Sequence, residues 1–147
     1  MVDADQAGPG SSPALSPAVI VGRSAAYGLL LALPAALLNG WLAEQDPPSR
    51  GAQFATVVAV LVGYAIAGFA AGTNAPARPD RFGALAGIVA FVPVELVVIM
   101  SRLDRGDGVN VGGIIVFGFL AAILGLIGSR PGAARRAAKQ KAQEGPS

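Results

Sequence analysis

Between Phe82 and Arg102 the chain reads FGALAGIVAFVPVELVVIMSR, an apolar run whose single acidic residue, Glu95, stands near its middle. About 20 predominantly apolar residues are what a helix needs to cross the hydrocarbon of a bilayer. A charged acid at that depth costs about 2.5–3.5 kcal/mol on insertion scales, so an acid kept there is a functional-site hypothesis by default. The run therefore sets both the solvent and the question. The chain is built for lipid, and Glu95 needs an explanation.

Composition agrees with that solvent. The chain has 147 residues, the length of one domain, yet 53% are hydrophobic and only 14% charged, with a mean hydropathy of +0.57. Soluble domains of this size carry far more charge. There is no cysteine and no histidine. Disulfide frameworks, thiol nucleophiles, Cys/His zinc sites and imidazole bases are excluded together. Of nine acidic residues, Glu95 is the only one outside the tails and predicted loops. Paired-carboxylate catalysis and an all-oxygen metal site thus lack a second acid inside the membrane. The reading is of a protein that is not an enzyme and has no metal and no cofactor. The basic pI near 9.5 comes mostly from the last eighteen residues, so it belongs to a tail and gives no sign of nucleic-acid binding.

The fold class expected is all-α: an integral membrane bundle of four transmembrane helices over residues 18–129, with both termini cytoplasmic and flexible tails at each end. Residues 1–17, rich in Gly, Pro and Ser, have almost nothing to bury and read as a disordered tail. They lack the basic start of a secretory signal, so no cleavage is expected. The helices fall at about 20–43, 52–72, 82–102 and 111–128. Arg23 and Trp41 sit where interface anchors belong on the first, and Pro34 inside it reads as a kink. Loop one, EQDPPSRG, is a Pro-Pro turn, and loop three, LDRGDGVN, is polar and Gly-rich. Residues 130–147 read as a basic cytoplasmic tail that begins with a helix-stopping Pro-Gly and carries Arg135, Arg136, Lys139 and Lys141. Its Ala-rich centre either lies as a surface helix on anionic lipid headgroups, meets a partner, or stays solvated.

Gly68 and Gly72 end the second span and Gly83 and Gly87 open the third, two GxxxG motifs separated by one short loop. Small-xxx-small faces let backbones approach closely, so a tight hairpin of helices two and three is expected through these four glycines. Basic residues in the short flanks fix the orientation. The side shared by the termini holds Arg23, Arg78, Arg81, Arg130, Arg135, Arg136, Lys139 and Lys141, against Arg50, Arg102 and Arg105 opposite. The positive-inside rule puts both termini in the cytoplasm, in a multi-pass protein of the plasma membrane.

At 1.5 Å per residue, Glu95 then lies about 20 Å from the cytoplasmic edge, Asn39 about 22 Å and Thr56 about 24 Å. Three polar side chains on three helices share one depth. A buried acid needs donors or must stay protonated, and Asn39 and Thr56 are the available partners, with Pro93 opening the backbone beside it. Arg102 lies on the same helical face, about 10 Å along the axis and too far for direct contact. Tyr27 and Tyr64 read as packing or interface residues. Without a histidine or membrane lysine, no serine is activated as a nucleophile.

The layout resembles a bacterial group of uncharacterised small four-helix membrane proteins, through Gly68, Phe69, Ala71 and Gly72 at the end of the second helix, Gly83 and Gly87 opening the third, and Gly125 to Gly128 ending the fourth. That resemblance covers residues 24–129 loosely and implies a topology without an activity. Small multidrug transporters share the four-helix size and one membrane Glu, but keep it in the first helix among aromatics, which form only 6% here. Two functions of different class follow. The first is a non-enzymatic structural or accessory component whose partners are the lipid bilayer and a membrane protein or a second copy of itself. The alternative is a proton-coupled transporter of a small solute or ion, working as a homo-oligomer, with Glu95 as the titrating site.

Overall fold

The computed structural model of the chain describes residues 15–144. Four helices run in order, α1 Pro17–Ala43, α2 Arg50–Asn74, α3 Pro79–Asp104 and α4 Val111–Glu144, and no strand occurs among the described residues. Each is long and apolar enough to cross a membrane. Most of the tail expected at 1–17, residues 1–14, lies outside the described residues. The first three helices open two or three residues earlier than their apolar runs do. α1 begins at Pro17, with Ser16 accepting a hydrogen bond from Val19 N at 3.4 Å. Proline is favoured in a first turn because its missing N–H would have no partner there. α3 repeats the device at Pro79, after Arg78 turns the chain through the left-handed region at φ 50°.

The basic tail corrects the sequence reading. The helix does not stop at Pro131–Gly132; α4 continues through both to Glu144, 34 residues in all. Proline removes one intrahelical bond, here to the Ile127 carbonyl, but the residues after it are mostly Ala, Arg, Lys and Gln, all strong helix formers. Gly132 is also pressed against α2, where an added Cβ would lie 3.0 Å from Thr73 N. Contact with α2 therefore holds the turn that proline weakens. At 1.5 Å per residue α4 is about 51 Å long against about 30 Å of hydrocarbon, so roughly the last 20 Å project beyond it.

α2 and α3 each touch the other three helices, whereas α1 and α4 do not touch one another. The cross-section is a lozenge with α2 and α3 across its short diagonal. The four motif glycines are used differently from the expected hairpin. Gly68, Gly72, Gly83 and Gly87 all face α4 and not each other: a Cβ on Gly68 would overlap the Gly125 carbonyl, one on Gly72 the Ser129 carbonyl, and one on Gly87 the Ala121 carbonyl, while one on Gly83 would lie 2.5 Å from Gly125 O and Ser129 Cβ. The short loop holds α2 and α3 side by side, but their small faces turn to the same flank and form one groove. The stripe Ala121, Gly125, Ser129, spaced by four, fills it. α1 meets α2 in the same manner, a Cβ on Gly63 falling 2.8 Å from the Gly28 carbonyl oxygen and 2.7 Å from Ala32 Cβ.

The core is accordingly made of alanines, among them Ala32, Ala67, Ala71, Ala86, Ala90 and Ala121, with Tyr64 and Phe91 as its large members in an edge-to-face pair 6.3 Å apart. Leu30, Phe54, Leu96 and Phe119 point outward. Lipid gives large apolar side chains no reason to hide, so close approach of backbones decides what is inside.

Candidate functional site

The tight contacts gather at the end of the bundle that carries loop two and the C-terminal extension. At the opposite end, under loops one and three, the helices surround an open cavity of about 260 Å³. Glu95 of α3 and Asn39 of α1 both line it, together with Tyr64 of α2, Arg102 of α3 and Asn110 just before α4. All four helices contribute to the wall. Pro34 and Pro93 lie inside α1 and α3 just before Asn39 and Glu95. Each leaves a carbonyl four residues back, Leu30 and Val89, without its ladder donor.

The three residues expected at one depth are brought together in part. Thr56 Oγ1 contacts Asn39 Oδ1 at 2.7 Å and the Gln53 carbonyl at 2.8 Å, so its one proton is placed between two acceptors and α1 is tied to α2. Thr56 is buried behind the cavity wall and does not line it. Glu95 joins neither residue. Among the described residues it makes no hydrogen bond and no ion pair, although it is only partly exposed. Its carboxyl is therefore not a clamp between helices of this chain. The acid for which Asn39 and Thr56 were the expected partners faces a space.

Three further residues bear on the site and were read otherwise or passed over. Tyr64 is 1% exposed overall, yet it lines the cavity. The signal was present, since Thr56, Val60 and Tyr64 recur every four residues and form one buried stripe on α2. Arg102, seven residues after Glu95, borders the same space, as the shared helical face implied. Asn110 caps α4, its side-chain oxygen accepting from Gly113 N at 3.0 Å, which a cap-forming residue before an apolar run announces. Above the cavity, Arg105 reaches Glu44 of loop one at 3.8 Å and Asp107 at 3.4 Å, linking the two loops.

Chemically the cavity offers one carboxyl, one guanidinium, two carboxamides and a phenol inside valine and isoleucine walls. Among the described residues no three acidic, histidine or cysteine side chains converge. A cation entering would meet a single carboxylate, neutral oxygens and the Arg102 guanidinium. Of the four basic residues expected at headgroups or a partner, Arg135, Arg136 and Lys139 line a second groove with Tyr27 at the other end of the bundle, and Lys141 stands apart from it, exposed. No protein-family model matches this sequence, and no curated protein and no solved structure is similar to it.

Proposed function

We propose that the protein handles a small solute or ion across the plasma membrane in exchange with protons, with Glu95 as the titrating group and Asn39, Tyr64 and Arg102 as the groups that hold the solute. The observation that carries this reading is Glu95 itself, a membrane-level acid that has no hydrogen-bond or ion-pair partner among the described residues and lines a cavity of about 260 Å³. An acid serving as glue within one copy would be bonded to a neighbouring helix. The cost of keeping it there is instead balanced by water or solute in the cavity. Small-residue contacts close the opposite end, so one copy in this arrangement offers access from one side. That is what a carrier requires at each stage of its cycle, and what a static pore does not have. Both termini in the cytoplasm, from the eight-to-three division of flanking basic residues, make the cavity face outward. Reporters fused at Ser147 and in loop one test this, and exterior signal at Ser147 would reverse it.

Proton flux into liposomes holding the purified protein, under an imposed potential and candidate solute gradients, tests the function. Flux in the native chain that disappears in Glu95→Gln is expected. Equal flux in the two, or none in either across the solutes tried, overturns the reading. The second reading, a non-enzymatic accessory component, is favoured by the roughly 20 Å of basic helix that α4 carries past the membrane. A folded, flux-inactive protein retained by a membrane partner through that extension would support it. Two copies sharing one chamber fit the carrier reading better than one, because a four-helix bundle is small for a complete pathway.

A further inference from the structure

A groove of about 520 Å³ lies between the last turns of α2 and the projecting half of α4, with Tyr27 of α1 across it. It exists because α1 and α4 do not meet, which leaves the face of α2 between them uncovered. Its upper part is basic: Arg135, Arg136 and Lys139 fall within little more than one turn of α4 and line it together. Among the side chains that the structure describes, no carboxylate lies within ion-pair distance of these three. Its floor is apolar, Ile66, Phe69 and Ala70. We propose that this groove is a binding site for an anionic phospholipid, the phosphodiester held by the Arg135, Arg136 and Lys139 side chains and an acyl chain laid along Ile66 and Phe69.

The vertical arrangement selects lipid over a dissolved anion. α2 ends at Asn74, so Thr73 and Asn74 mark the polar boundary, while Ile66 lies about 12 Å deeper. Cations therefore sit at headgroup level and the apolar floor runs down to acyl level, which a free phosphate cannot use. Thr73 and Asn74 are not the donors for the anion. Thr73 Oγ1 donates to the Ala70 carbonyl at 2.8 Å, and Asn74 Nδ2 spends its protons on the same carbonyl at 2.7 Å and on Thr73 Oγ1 at 3.2 Å. Recognition rests on α4, whose arginines present forked donors suited to phosphate oxygens. Continuation of the helix past Pro131 is what brings them over the groove. A tail ending its helix at residue 130 would leave them without a fixed place.

The test is native mass spectrometry of the full-length protein in detergent, titrated with phosphatidylglycerol or with phosphatidylcholine, with inorganic phosphate as competitor. One phosphatidylglycerol retained in preference to phosphatidylcholine is expected. The triple change Arg135→Gln, Arg136→Gln, Lys139→Gln should weaken it roughly 100-fold, from the contribution of three basic residues near a lipid surface. Lys141→Gln, outside the groove, should leave it within about twofold. Ile66→Gln keeps every cation and should still weaken binding several-fold, which decides the matter if the triple variant does not fold. Three results overturn the proposal: undiminished binding in the triple variant or in Ile66→Gln, an equal loss in Lys141→Gln, or complete displacement of the lipid by millimolar phosphate.

Discussion

The two ends of this bundle are built from different residue types to opposite effect. At the loop-two end, Gly68, Gly72 and Gly87 meet the backbone of α4, and Gly83 meets the Gly125 carbonyl and the small Ser129 side chain. At the loop-one and loop-three end, four helices stand around a cavity holding Glu95, Asn39, Tyr64 and Arg102. The difference follows from where small residues stop. In lipid, helices gain little by hiding leucine, so they close only where glycine and alanine let backbones touch. Past Gly87 and Ala121, α3 and α4 present valine, isoleucine and phenylalanine to this region, and the walls stay apart. Closure and cavity are thus two outcomes of one rule.

The largest effect that can break this comparison is at the closed end. Gly68→Leu should lose the fold or destabilise it by more than about 3 kcal/mol, because the added side chain meets backbone that cannot rotate away and overpacking alone costs about 1–3 kcal/mol. Gly22→Leu, where nothing lies within 4 Å, should be tolerated. Thermal unfolding in detergent reads both, and equal stability of the two would refute backbone contact as the source of closure. Next in size is Ser24→Ala. The Ser24 hydroxyl is 1% exposed with no partner among the described residues, so removing it should be neutral or stabilise by about 1 kcal/mol. A clear loss of stability would mean the hydroxyl is bonded.

Thr56→Val sharpens the comparison at the cavity end. It deletes the 2.7 Å bond to Asn39 and should cost about 0.6 kcal/mol, the average for interhelical hydrogen bonds in membranes. A cost several times larger would make the cavity wall the principal stabiliser and reverse the contrast between the two ends. The smallest effect expected is at Arg105→Ala, where the contact to Glu44 is long and largely exposed, worth about 0–1 kcal/mol.

Much of this contrast was legible in the chain, and the part that was not has a physical cause. Apolar runs of bilayer length announced four helices, but the shared depth of Asn39, Thr56 and Glu95 was read as two partners for the acid, whereas Thr56 bonds Asn39 and Glu95 joins neither. Which helix a GxxxG face meets was not legible. Gly68 and Gly83 each announce only that some backbone approaches, and the choice of α4 depends on how α2 and α3 rotate about their axes. Pro131–Gly132 misled for a related reason, since a local breaker was outweighed by contact between Gly132 and α2 that no local signal reveals. Tyr64 was legible in retrospect as the third member of a four-residue stripe with Thr56 and Val60.

The central claim, a bundle open around Glu95 and closed two turns away, is tested most directly by thiol accessibility, since the chain contains no cysteine. Val98→Cys places one thiol on the cavity wall, and Ala90→Cys places one at a site that is 0% exposed on the same helix. A membrane-impermeant maleimide applied to oriented vesicles should label Val98→Cys from the side of loops one and three only, and should leave Ala90→Cys unmodified. Labelling of both positions, of neither, or of Val98→Cys from the loop-two side would contradict the account.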